Sequence, residues 1–122
     1  MASRLLDGVT ATGVSPAVKV FGALNHAVQV SWTNSGGSVT ALVIALEGTI
    51  NNQGEIDGAS ADWFALATHT LSAGELTAKA AQFVVAAGPE RYVRVNITTL
   101  TETGTTAVYV RYQGHDGGDM RN

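Results

Sequence analysis

The chain has 122 residues, enough for one domain with a modest core, and charged residues make up only 14% of it against a usual quarter. A net charge of −3 with no basic run argues against a nucleic-acid partner, and the absence of cysteine excludes disulfides, thiolate metal sites and a cysteine nucleophile. No stretch reaches the ~18 apolar residues of a membrane span, and the first residues hold no apolar run of signal-peptide length, so the reading is a soluble protein made in a cytoplasm, with no membrane partner.

Residues 1–14 lack a clear strand pattern, although Leu5, Leu6, Val9 and Val14 give them something to bury. They are read as an extended N-terminal arm ahead of a domain spanning 15–114. From there the pattern is mostly period-two alternation, which indicates strands with one buried face. In "AVKVFGA", Val18 and Val20 oppose Lys19 and Phe21. In "AVQVSWT", Val28, Val30 and Trp32 oppose Gln29, Ser31 and Thr33, so Trp32 belongs to the core. A turn at 33–38 follows, then "VTALVIALEG", where Leu42, Ile44 and Leu46 face one way and Val43 and Ala45 the other, as in a strand covered on both sides. Residues 49–62 form a polar loop, and "WFALATHTL" resumes the alternation with Phe64 and Leu66 against Ala65 and Ala67.

The next segment supports two readings. Ser72 and Glu75 make a capping-box pattern, and Leu76, Ala80, Phe83, Val84 and Ala87 have helical spacing. A strand over 81–86 is favoured, with a short helix over 72–80 as the open alternative. Residues 86–90, "AAGPE", break the chain, and 115–122 read as a flexible tail. Seven or eight short strands over such a length suit an all-β fold, a two-sheet antiparallel β-sandwich or jelly-roll-like domain.

The stretch "RYVRVNITTLTETGTTAVYVRYQG" invites pairing of 91–100 with 105–113 as a hairpin around Gly104. Ile97 then faces Val108, Val95 faces Val110 and Val93 faces Tyr112 on a buried face. The opposite face carries Tyr92, Arg94, Tyr109 and Arg111, with Arg94 directly across from Arg111. Like charges so placed need a compensating carboxylate, such as Glu47 or Asp62 or one from a neighbouring chain. Tyrosine and arginine are enriched at the energetic centres of interfaces, so these four residues are the expected contact face.

Catalytic and metal chemistry find little support. His26, His69 and His115 are scattered without HxH or HxxxH spacing. The "NNQGEIDG" run at 51–58 lacks the acidic ligands of a calcium loop, and no GxSxG motif occurs. No catalytic residue, metal or cofactor is expected, and the chain is read as a non-enzyme. Trp63, out of phase with Phe64, is a candidate contact residue for an adjacent subunit.

The order "ALEGTI", "DG", "DWFALATHT" and "ERYVRVNITTLTETGTTAVYVRYQG" resembles small structural proteins of tailed-phage virions, chiefly capsid decoration (cement) proteins. The matching positions are Leu46-Glu47-Gly48, Asp57-Gly58, Trp63 and Arg91 to Val95, within a likeness covering roughly 15–114. The resemblance implies a β-sandwich on the capsid exterior, often a homotrimer, that clamps adjoining copies of the major capsid protein. With it come Leu5, Leu6 and Val9 as anchors on the arm, alongside Trp63 and the Tyr/Arg face. The rival expectation is a carbohydrate- or receptor-binding module of a tail or fibre, using Trp63 and the 49–62 loop.

Overall fold

The computed structural model describes residues 3–20 and 25–115, the side chains of Ser3 and His115 excepted. Its elements are β1 (Ser3–Val9), β2 (Gly13–Val14), β3 (Val18–Lys19), β4 (Asn25–Ser35), β5 (Val39–Thr49), α1 (Gln53–Asp57), β6 (Phe64–Thr70), α2 (Ala73–Ala78), β7 (Ala80–Ala86), β8 (Tyr92–Glu102) and β9 (Thr105–His115). One sheet has the order β1-β9-β4-β7, and the other the order β2-β8-β5-β6 with β3 also on β8. All pairings are antiparallel, which makes the molecule a two-sheet antiparallel β-sandwich.

Two long alternating segments build most of it. β4 pairs with β9 from Asn25↔His115 to Ser35↔Thr105. β5 pairs with β8 from Val39↔Glu102 to Thr49↔Tyr92. The two ladders form one antiparallel ribbon, folded back on itself where both strands change sheet. Inside the fold lie Val28, Val30 and Trp32 of β4, Leu42, Ile44 and Leu46 of β5, Val93, Val95 and Ile97 of β8, and Val108 and Val110 of β9, all buried. Ala45, on the outward phase of β5, is also buried, but Val43 and Glu47 on the same phase are half-buried, so the expected cover on both faces is only partial.

Polar chemistry holds the corner of the ribbon. The Asn34 amide donates to the Thr103 carbonyl (3.0 Å) and the Thr106 hydroxyl (2.9 Å), while its oxygen accepts from Gly37 N–H (3.0 Å). Ser38 N–H donates to the Thr103 hydroxyl (3.1 Å), and Thr103 N–H to the Ser38 carbonyl (2.9 Å). Thr106 is fully buried, so its bond to Asn34 satisfies a group that water cannot reach. Glycine is required on both strands: a Cβ on Gly37 would collide with the Thr103 carbonyl, and one on Gly104 with the Ser35 carbonyl. Gly104 also sits at φ +74°.

Three expectations change against this architecture, and a fourth segment keeps both of its readings. The 91–113 hairpin does not form: β8 and β9 lie in opposite sheets, because the connection at Thr103–Gly104 bonds to the neighbouring 34–38 connection rather than closing a tight turn. The N-terminal arm is instead strand β1, paired along β9. A register shift between Arg4 and Leu6 makes Leu5 an extra residue, and this bulge lets consecutive leucines both enter the core. The 49–62 loop contains α1, started by a capping box of Asn52 and Glu55. Over 72–86 both readings hold in sequence, with α2 capped by Ser72 and Glu75 and then β7. Of the expected strand 17–23, Val18–Lys19 is β3, while Phe21 and the residues 22–23 lie outside the described residues, as does 116–122 of the tail.

Two measurements test this account. Gly37→Ala should cost roughly 1–3 kcal/mol, as overpacking does, and lower the melting temperature by about 5 °C or more. Deleting residues 1–12 removes two leucine burials worth ~1.5–3 kcal/mol each, a large part of the ~5–15 kcal/mol that holds a domain together. A truncated chain that melts cooperatively at the full-length temperature would show that β1 is dispensable.

Candidate functional site

The outer face of the β2-β8-β5-β6 sheet carries a hydrogen-bonded side-chain cluster centred on Arg94. Strand alternation buries Val93, Val95 and Ile97 and therefore turns Arg94 and Asn96 outward from β8. Glu47 of β5 is the register partner of Arg94. Its Oε1 accepts from Arg94 Nε at 2.7 Å and its Oε2 from the Asn96 amide at 3.2 Å. The Arg94 guanidinium lies 4.3 Å from the centre of the Trp63 ring, a cation–π contact worth ~0.5–2 kcal/mol depending on how dry it is. The result is an arginine fixed by a carboxylate below and an indole beside it, with little rotamer freedom left to lose. Phe64, next to Trp63, is 65% exposed, and Ile50, which leaves the same end of β5, is 61% exposed.

The expected contact residues are divided by the fold. Trp63 and Arg94 meet, and Glu47, named from the sequence as a candidate counter-charge, supplies it. Tyr92 shares their face but is buried, with Thr49 and Lys19 as register partners on either side, so it is not an exposed contact. Tyr109 and Arg111 point outward from the opposite sheet, so the four-residue Tyr/Arg face does not exist. The facing pair of arginines is Arg4 with Arg111. Arg4 is neutralised locally by Asp7 at 3.1 Å, and its guanidinium lies 6.0 Å from the Tyr109 ring centre. Leu5 and Leu6 are core residues, which removes them as anchors for a partner, while Val9 is partly buried against the core.

The principal buried titratable network is internal. His26 is fully buried, with Nε2 at 2.9 Å from Glu90 and Nδ1 at 2.6 Å from the Tyr112 hydroxyl. A carboxylate can only accept, so Nε2 carries the proton; in the neutral ring Nδ1 accepts from Tyr112. Burial and the Glu90 charge both push the Tyr112 hydroxyl well above its usual range. Burial pushes Glu90 up as well, but the His26 bond and the Gly88 and Glu90 backbone N–H groups outweigh it and hold the carboxyl below its ordinary value. His26 shares the inward phase of Val28, Val30 and Trp32, a signal present in the sequence, whereas Glu90 in its loop gave none. His69 pairs with Glu75 of α2 at 3.0 Å and stacks on Phe83 at 5.1 Å. Among the described residues no group of three His, Cys, Asp or Glu is placed to hold a metal ion.

The class defined by this fold is the two-sheet antiparallel β-sandwich. Neither a protein-family model nor a curated protein matches the chain. Among solved structures, the SPBc2 prophage-derived protein YomS is similar over 92% of this chain and 90% of its own, with 11% identity and a TM-score of 0.54. A structure described as "CBM4 structure and function" is similar over 92% of this chain and 70% of its own, with 10% identity and a TM-score of 0.49. The YomS likeness is one of fold.

The Glu90 network predicts a pH dependence. Because the folded carboxyl titrates below the ordinary 4.5, its contribution is complete above that pH and is lost as pH falls through the lower folded value. The wild-type melting temperature should therefore decline below pH 4.5. Glu90→Gln should be less stable near neutrality by roughly 1.5–3 kcal/mol and show a shallower acid decline. Parallel curves for the two proteins would remove Glu90 from the acid transition.

Proposed function

We propose that the chain is a non-enzymatic structural protein of a tailed-phage virion that works by being held against neighbouring subunits through the Trp63–Arg94 surface. The specific form of the proposal is a decoration protein on the capsid exterior, bridging adjoining copies of the major capsid protein. The observation that carries it is the Arg94 side chain, bonded to Glu47 and lying over the Trp63 ring on the outer face of the sheet. An aromatic and arginine cluster ordered in advance loses little entropy on binding and has the composition of an interface hot spot. With only 14% charged residues, the chain has few ionic groups to desolvate when a partner covers its surface. A fold shared with a prophage-derived protein supports the viral setting.

The test is sedimentation of purified protein with empty shells of the cognate major capsid protein. Trp63→Ala combined with Phe64→Ser should weaken binding by about thirtyfold or more, the scale of losing a ~2 kcal/mol hot spot, with the melting temperature little changed. Wild-type occupancy by that variant sinks the proposal.

A second reading, a sugar-binding module, is supported by a different feature. A shallow groove of about 230 Å³ on the outer face of the other sheet has Gln29, Gln82, Gln113 and Arg111 in its lining, beside apolar Ala27 and Val84. Side-chain amides and a guanidinium offer donors and acceptors that match sugar hydroxyls. Binding on a glycan array that is lost in Gln29→Ala and retained in Trp63→Ala would favour this reading over the first.

A further inference from the structure

A β-sandwich has exposed sheet edges, and natural sequences guard them with bulges, charges, proline or short strands. Three edges of this molecule are guarded. β1 has two register irregularities and carries Arg4 and Asp7. β2 and β3 have two residues each, and Pro16 lies between them. β6 is interrupted by an irregularity opposite Leu46–Glu47. β7 differs: its seven residues, AAQFVVA, include no charge and no proline, and they pair with β4 without interruption from Ala80 to Ala86.

The free side of β7 can be assigned from one hydrogen bond. Trp32 N–H donates to the Lys79 carbonyl at 3.3 Å, in the same register that the rest of the ladder keeps. Alternation then directs the N–H and C=O groups of Ala81, Phe83 and Val85 to β4. Those of Ala80, Gln82, Val84 and Ala86 point away from the sheet. Among the described residues no side chain or backbone group bonds to them. Val84, in the middle of this edge, is 69% exposed.

We propose that β7 is a self-association edge, at which a second copy of this chain pairs antiparallel about a two-fold axis through Phe83. That register places Ala80 opposite Ala86 and Gln82 opposite Val84 of the other copy. Each edge-facing donor and acceptor in the strand then finds a partner, and Val84 is covered. A neutral strand is suited to meeting its own copy, because no like charges face each other. The four-stranded sheets of two molecules become one continuous sheet with two-fold symmetry. This pairing is independent of the Trp63 surface, and it replaces the trimer implied by the virion resemblance with a dimer.

Analytical ultracentrifugation of the full chain, from micromolar to several hundred micromolar, should show a mass rising towards twice 12.6 kDa. Val84→Pro removes an edge-facing N–H that β4 does not use, and Gln82→Lys with Val84→Lys sets lysines against lysines across the axis. Both should weaken the dimer by on the order of tenfold or more while keeping the wild-type melting temperature within a few degrees. Hydrogen exchange of wild-type protein gives a readout that needs no variant: the Gln82 and Val84 amides should gain protection with concentration. A mass of one or of three chains throughout, or edge amides whose exchange is independent of concentration, overturns the proposal. So does a wild-type dimer constant in a folded lysine variant.

Discussion

Two crossings between the sheets, held against each other by Asn34 and Thr103, set the arrangement of everything else. They are adjacent because β4 pairs with β9 and β5 with β8, and they can bend only because Gly37 and Gly104 leave room for the opposing carbonyls. If the ribbon is opened there, the inward rows of β4 and β9 no longer face those of β5 and β8, and no core remains. A few neutral hydrogen bonds are individually modest, ~0.5–1.5 kcal/mol each, but here they decide which apolar surfaces meet.

The same crossing determines which side chains can act together. Arg94 and Arg111 belong to consecutive strands of similar pattern, yet they emerge on opposite sides of the molecule. Arg94 gains Glu47, Asn96 and Trp63 as companions, while Arg111 gains Arg4 and Gln29. The outer faces thus differ in kind. One has an ordered aromatic and ionic cluster at its end, and the other a shallow amide-lined groove that runs out to the unguarded strand β7.

The alternation of Val28, Val30 and Trp32, and of Leu42, Ile44 and Leu46, was sufficient to read the strands, their buried faces and the sandwich class. Pattern could not distinguish a hairpin from a crossing, because both bury the same face of each strand; the difference lies in Asn34, more than half the chain away from Thr103. Leu5 and Leu6 were legible as apolar but not as strand, since a bulge breaks the period that would have revealed them. Asn52 and Glu55 do form a capping box in sequence, but the polarity around them hid α1. In the candidate site, Trp63 and Glu47 were readable as residue types with a task, whereas their meeting at Arg94 required the β5–β8 register.

The folded ribbon also bears on how the chain reaches this state. Even its nearest partners in sequence, Thr49 and Tyr92, are separated by the whole of α1, β6, α2 and β7. Chain entropy must therefore be spent on closing a long loop before the central ladder returns any free energy, and proteins dominated by such non-local pairing fold slowly. During that wait the uncharged β7 segment emerges from synthesis before β8 and β9 exist to complete the sheets. A sequence feature suited to joining two finished molecules is, in the nascent chain, the segment most in need of timely shelter.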